Sequence, residues 1–173
     1  MVRYFNRNAG ANVWKAVLVS SVIFHLVKGE DKPEGRLKEK NEATQFAIKK
    51  DRIAFLDDIG KNFFGVCFFN APISIILLHY NKMLASFASP HATTECAKSF
   101  SNANFRQEVL SIKVPTLIIH GNADKIVPIE ISSERTAALI VDNKLIIYDD
   151  APHDLFHTSK DKLNADLLEF LNS

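Results

Sequence analysis

Two short segments carry residues able to move a proton. One reads His120-Gly-Asn-Ala-Asp124-Lys-Ile-Val-Pro128, the other Asp149-Asp-Ala-Pro-His153-Asp-Leu-Phe-His157. Gly121 permits a tight turn, and Asp124 falls in the loop ahead of a helix. Pro152 restricts the backbone before His153. Alone, Asp124 reads more simply as a turn carboxylate and His153 as a surface histidine. Together they acquire a chemistry, because each follows its own apolar run, acid first and imidazole second. On an open sheet that order lets the carboxylate fix the imidazole's tautomer while the imidazole takes a proton from a nucleophile.

The elements that must hold these residues are legible as apolar runs. Ala16 to Val19, Val114 to His120 and Lys144 to Tyr148 read as strands buried on both faces. A helix expected over Pro128 to Asp142 sets Ala137, Ile140 and Val141 on one face. Another, Ser159 to Asn172, carries Leu163, Leu167, Phe170 and Leu171 at helical spacing, with Thr158-x-x-Asp161 as a capping box. A short helix, Val2 to Arg7, has no visible N-cap and stops at Asn8-Ala9-Gly10. Strand, helix, strand, helix is an open α/β pattern, in which function sits at the carboxyl ends of the strands.

Far more residues separate the first strand from the second than a parallel crossover needs. Gly29 to Lys61 is dense in charge, with an amphipathic helix expected near Thr44 to Ile59. Lys49-Lys50-Asp51-Arg52 reads as its solvated face. Asn62 to Ser89 is apolar and rich in phenylalanine, and Thr93 to Phe100 reads as a further helix. The excess is expected to form an inserted helical cap. In it, Phe63, Phe64, Phe68 and Phe69 could line an acyl or aryl pocket or simply pack the cap's core.

Composition removes several alternatives. Lys and Arg number 21 and Asp and Glu 20, so a basic nucleic-acid binder is excluded as the default. A hydrophobic fraction of 47% over 173 residues excludes a disordered acidic chain. Cys67 and Cys96 make neither a disulfide framework nor a four-thiolate zinc site. They read as buried thiols in a reducing compartment. Trp14 to Val27 is apolar but too short to span a bilayer, and no leader is visible, so a soluble cytoplasmic protein without a membrane partner is expected. His153 and His157 would make a metal pair only on a helix, against which Pro152 argues, and no metal is expected. His120 reads as the holder of a strand-end turn, and His25, His79 and His91 as surface or cap residues.

The run Val114-Pro-Thr-Leu-Ile-Ile-His-Gly-Asn-Ala-Asp-Lys-Ile-Val-Pro128, followed by Tyr148-Asp-Asp-Ala-Pro-His153, resembles the C-terminal signature of the α/β-hydrolase superfamily. Ala92-Thr-Thr-Glu-Cys-Ala-Lys-Ser-Phe100, Asn104-Phe-Arg106 and Leu163-Asn-Ala-Asp-Leu-Leu-Glu-Phe-Leu171 are similar to its cofactor-free, non-haem haloperoxidase and aryl-esterase group. The resemblance covers nearly the whole chain and is strong from Ala92 onward. It implies the C-terminal part of an α/β-hydrolase fold, about three parallel strands with flanking helices and a cap. It further implies a Ser-His-Asp triad with Asp124 as acid and His153 as base, acting on small ester or carboxylic acid substrates without a cofactor. Some members also make peracids from hydrogen peroxide. By the same resemblance, residues 1–28 are the end of the nucleophile's helix and the first remaining strand, 29–106 the cap, and 107–173 the part bearing acid and base.

Two departures stand out. Asp154 occupies the position after the base, where the family usually has glycine; a carboxylate there would act on the base or crowd the site. No G-x-S-x-G occurs around any glycine, and Ser20 and Ser21, which follow the first strand, lack flanking glycines. Val2 to Arg7 resembles the latter part of the helix that follows the nucleophile, which implies that the nucleophile and the oxyanion-hole donors lie outside these residues. Such a chain is expected to be inactive alone. It would then bind or self-associate through an uncovered strand, or serve as one half of a split enzyme with a missing N-terminal half.

Overall fold

The computed structural model describes residues 1–23 and 38–173. Its strands are β1 (Ala16–Val19), β2 (Thr116–Gly121) and β3 (Asn143–Tyr148). In chain order the helices are α1 (Val2–Asn8), α2 (Lys38–Lys50), α3 (Arg52–Phe64), α4 (Ile75–Ser86), α5 (Pro90–Asn102), α6 (Arg106–Val109), α7 (Ser133–Leu139), α8 (Leu155–Thr158) and α9 (Lys160–Asn172).

The strands pair in parallel in the order β1-β2-β3, with Ala16 opposite Thr116 and Thr116 opposite Asn143. Every residue of β2 is buried, because successive side chains enter two different cores. Ile118 joins Val2, Phe5, Leu18, Val109 and Ile140 on one face, which puts α1, α6 and α7 there. Leu117 and Ile119 join Tyr148, Leu155 and Leu163 on the other, under α8 and α9. The open α/β pattern and the parallel strands are as the sequence implies. β3 differs from the expectation of burial on both faces. As the end strand it is buried at Tyr148 alone, and Lys144 and Ile147 are exposed.

Three helix expectations need correction. Pro128 to Asp142 forms a 3-10 turn, Ile129–Ile131, and then α7; at Ile140 the backbone is already extended, so Val141 leaves the helical face and is 92% exposed. Thr158-x-x-Asp161 is not a capping box: α9 follows Ser159 without a side-chain cap, and the Thr158 hydroxyl donates back to the Asp154 carbonyl. The helix expected near Thr44 to Ile59 is two, α2 and α3. Between them Asp51 is extended, and its carboxylate accepts from the Ala54 N–H at 2.9 Å as the N-cap of α3.

α3 and α4 are tied together through their side chains. The Asp57 carboxylate accepts from Lys61 at 2.6 Å and from Lys82 at 2.7 Å, and these bonds hold it at a pKa of about 2 despite partial burial. The Arg52 guanidinium donates to the carbonyls of Ser86 and Ala88. α4, unforeseen in the sequence, starts at Ser74, whose hydroxyl accepts from the Leu77 N–H. Cys67 and Cys96 are exposed, against expectation, because Cys67 sits in a tight turn closed on Asn70 and Cys96 on the outer side of α5. Among the described residues no helix is long and apolar enough to cross a membrane. Residues 24–37 lie outside the description, and with them the expectation for His25.

Candidate active site

The turn after β2 is built around one carboxylate. Asp124 Oδ1 accepts from the N–H groups of Ile126 and Val127, both at 2.8 Å, which folds the backbone tightly around the side chain. Asp124 Oδ2 accepts from two imidazoles, His153 Nδ1 at 2.6 Å and His120 Nε2 at 3.0 Å. The carboxylate is wholly buried. Burial alone would push its pKa up; the bonds from His120, His153 and the Val127 N–H outweigh it and hold the group at about 2.

His120, the last but one residue of β2, is also fully buried. Its Nε2 lies 2.8 Å from the Val127 carbonyl as well as near Asp124, and both are acceptors, so Nε2 carries the proton. In the neutral ring Nδ1 then accepts from the Ser133 hydroxyl at 2.6 Å, from the start of α7. His120 thus holds the turn, as its place in the sequence suggests, and also buttresses Asp124. That second role has one sequence signal, the His-x-x-x-Asp spacing; Ser133 has none.

The loop after β3 lies directly on the end of β2. The Ala123 N–H donates to the Ala151 carbonyl, the Asn122 N–H to the Tyr148 carbonyl, and the Asp150 N–H to the Asn122 side chain. Gly121 makes room for this. A Cβ there would stand 2.1 Å from the Ala151 carbonyl oxygen, so the glycine is needed for space; its φ is not positive. The same close approach brings His153 to Asp124.

Phe63, at the end of α3, meets the His153 ring edge-on at 4.9 Å between centroids. Phe64 is buried, packed edge-on against Phe63 and His157. Phe68 and Phe69 stand in solvent, edge-to-face with one another. Asp154, beside His153, is buried with its Oδ2 2.7 Å from His157 Nδ1, so this carboxylate is engaged by its own histidine. His153 and His157 therefore serve separate carboxylates. Among the described residues no cluster of three or more His, Cys, Asp or Glu could hold a metal ion. Ser20 donates to the His153 carbonyl and Ser21 to the Val19 carbonyl. His79 and His91 are exposed.

Comparison with known proteins places this geometry. Residues 77–160 match the family described as serine aminopeptidase, S33. The chain is 35% identical to a bifunctional esterase/perhydrolase of Acinetobacter calcoaceticus, covering 98% of this chain and 62% of that protein. It is 33% identical to a non-heme haloperoxidase of Rhodococcus erythropolis, covering 100% of this chain and 64% of that one. The crystal structure of a bromoperoxidase from Bacillus anthracis superposes with a TM-score of 0.93 at 35% identity, over 99% of this chain and 63% of that chain. The chain thus spans somewhat under two thirds of the length of the relatives it matches. With three parallel strands, flanking helices and a turn carboxylate beside a loop histidine, its fold is that of the C-terminal portion of an α/β-hydrolase.

Proposed function

We propose that Asp124 and His153 are the acid and base of a Ser-His-Asp triad for ester hydrolysis, its nucleophile lying outside these 173 residues. The observation that carries this is the 2.6 Å bond between His153 Nδ1 and the buried, ionised Asp124. With Nδ1–H held by the carboxylate, Nε2 is the nitrogen that takes the proton of the attacking hydroxyl and returns it to the leaving alcohol. The carboxylate stabilises the imidazolium formed between those two steps. Phe63, edge-on to His153, is the wall we assign to the acyl or aryl group, with Phe64 behind it. Small esters are the substrate class; if hydrogen peroxide replaces water in attacking the acyl-enzyme, the product is a peracid. This chemistry calls for neither metal nor redox group. A reducing cytoplasm suits the two exposed, unpaired cysteines.

By itself the chain lacks a nucleophile elbow and is inactive on this reading. The pure protein should hydrolyse p-nitrophenyl acetate no faster than buffer. A burst of p-nitrophenol that disappears in His153→Ala overturns this. Sequencing the DNA upstream of the Met1 codon separates the remaining cases. An in-frame extension encoding G-x-S-x-G means an ordinary esterase or perhydrolase, and an in-frame stop means a binding module or one half of a split enzyme.

A second reading has its own observation. β1 ends the sheet, with β2 on one side and no strand on the other among the described residues. A groove of about 300 Å³ beside it is lined by Arg3 and Ser21 as well as by apolar residues, Val2, Leu18, Ile23 and Phe105 among them. An apolar edge of this kind favours self-association or capture of a complementary half. Light scattering that finds only monomer at high concentration removes the self-association arm.

A further inference from the structure

The peptide unit joining His153 to Asp154 is gripped from two sides. Its carbonyl, that of His153, accepts from the Ser20 hydroxyl at 3.0 Å, and its N–H, that of Asp154, donates to the Phe63 carbonyl at 3.0 Å. Ser20 directly follows β1 and Phe63 lies in the last turn of cap helix α3, so one peptide links sheet and cap. Ser20 is 7% exposed and holds φ at +45°, a conformation serine ordinarily avoids. Its own N–H continues the ladder by donating to the Ile119 carbonyl at 2.9 Å. The hydroxyl thus reaches from β1 past the end of β2 to the loop that follows β3.

We propose that Ser20 is a positioning residue for His153, anchoring the base's own carbonyl to the sheet so that its imidazole stays on Asp124. This rests on the reading of His153 as the base. Without the hydroxyl, the sheet loses its hold on the His153 carbonyl, and the cap's grip on the Asp154 N–H remains. Movement of α3 would then carry His153 with it. A strained backbone retained at a buried serine is the sort of feature that persists where a site over-determines it.

The test is proton NMR of the labelled chain. In the unmodified protein the His153 Nδ1 proton should give a downfield signal that is lost in Asp124→Asn. Ser20→Gly removes the hydroxyl yet suits the positive φ, so the fold and Tm should be retained. In that variant the Nδ1 proton should exchange about tenfold faster with solvent, the size expected for one lost buried hydrogen bond, while the Asp154 amide, still held by the Phe63 carbonyl, should exchange as before. A Ser20→Gly chain in which the Nδ1 exchange is unchanged overturns the inference and leaves the acid–base reading standing. An unmodified chain with no such Nδ1 signal overturns both. Should Ser20→Gly fail to fold, the unmodified protein still decides: a slowly exchanging Ser20 hydroxyl proton with a cross-peak to the Asp154 Hα, which lies on the carbonyl's side of that peptide, supports the anchor, and its absence refutes it.

Discussion

His120 and His153 bind the same oxygen. Their ring nitrogens stand 3.0 and 2.6 Å from Asp124 Oδ2, one from within β2 and one from the loop after β3. The other oxygen takes two backbone N–H groups. Four donors on one buried carboxylate favour its ionised form strongly enough to overcome burial.

Stability should therefore fall with acid in a defined window. The folded Asp124 pKa, about 2, lies below the ordinary 3.8, so its contribution is fully present above pH 4 and is lost as pH drops toward 2. Its size is about 2 kcal/mol. Urea unfolding of the parent and of Asp124→Asn, at neutral pH and at successive steps from 4 down to 2, should show the gap between them narrowing. A gap that stays constant contradicts this account.

Replacing His120 by Leu should cost about 3 kcal/mol, because the Ser133 hydroxyl and the Val127 carbonyl are left buried without their partner. The same change at exposed His79 should shift stability by less than about 0.5 kcal/mol. Equal unfolding midpoints for the two variants would remove the buttressing role of His120.

Two glycines should respond oppositely to alanine. At Gly121 the new Cβ meets backbone carbonyl oxygen, which cannot give, so Gly121→Ala should lose about 3 kcal/mol or more and displace the His153 loop. At Gly60, inside α3, it meets only Leu78 Cδ1 at 3.4 Å, and Gly60→Ala should gain about 0.5 to 1 kcal/mol. Thermal melts of the two variants, moving in opposite directions, check both.

The meeting of Asp124 with His153 was legible because each follows an apolar run, and β1 and β2 because those runs are unbroken. What was hidden depends on three-dimensional facts. Gly121 reads as a turn glycine, and only its closeness to Ala151 shows that space is what it supplies. Asp51 reads as one more charge on a solvated helix; its extended backbone makes it the N-cap that divides α2 from α3. Ile75-Ile76-Leu77-Leu78 has no polar face to mark a helix, so α4 was passed over as an apolar stretch. The second role of His120 needs Ser133, which has no spacing that would announce it.

The cysteines offer a simple check on the cap. Both Cys67 and Cys96 are exposed, so the native chain should titrate two thiols with Ellman's reagent without denaturant. Reaction of either only after unfolding would mean that its turn or helix lies differently.

The register of the sheet also sets an order of assembly. β2 meets β3 across a short segment containing α7, whereas Ala16 must find Thr116 a hundred positions away. Closing the longer loop costs roughly 1 kcal/mol more in chain entropy. β2 and β3 should therefore pair early, with β1 docking late. At a synthesis rate of about 5–20 residues per second, β1 leaves the ribosome some 5–20 seconds before its partner strand exists. For that interval Ala-Val-Leu-Val is an apolar segment still waiting for β2, and a natural client for a chaperone.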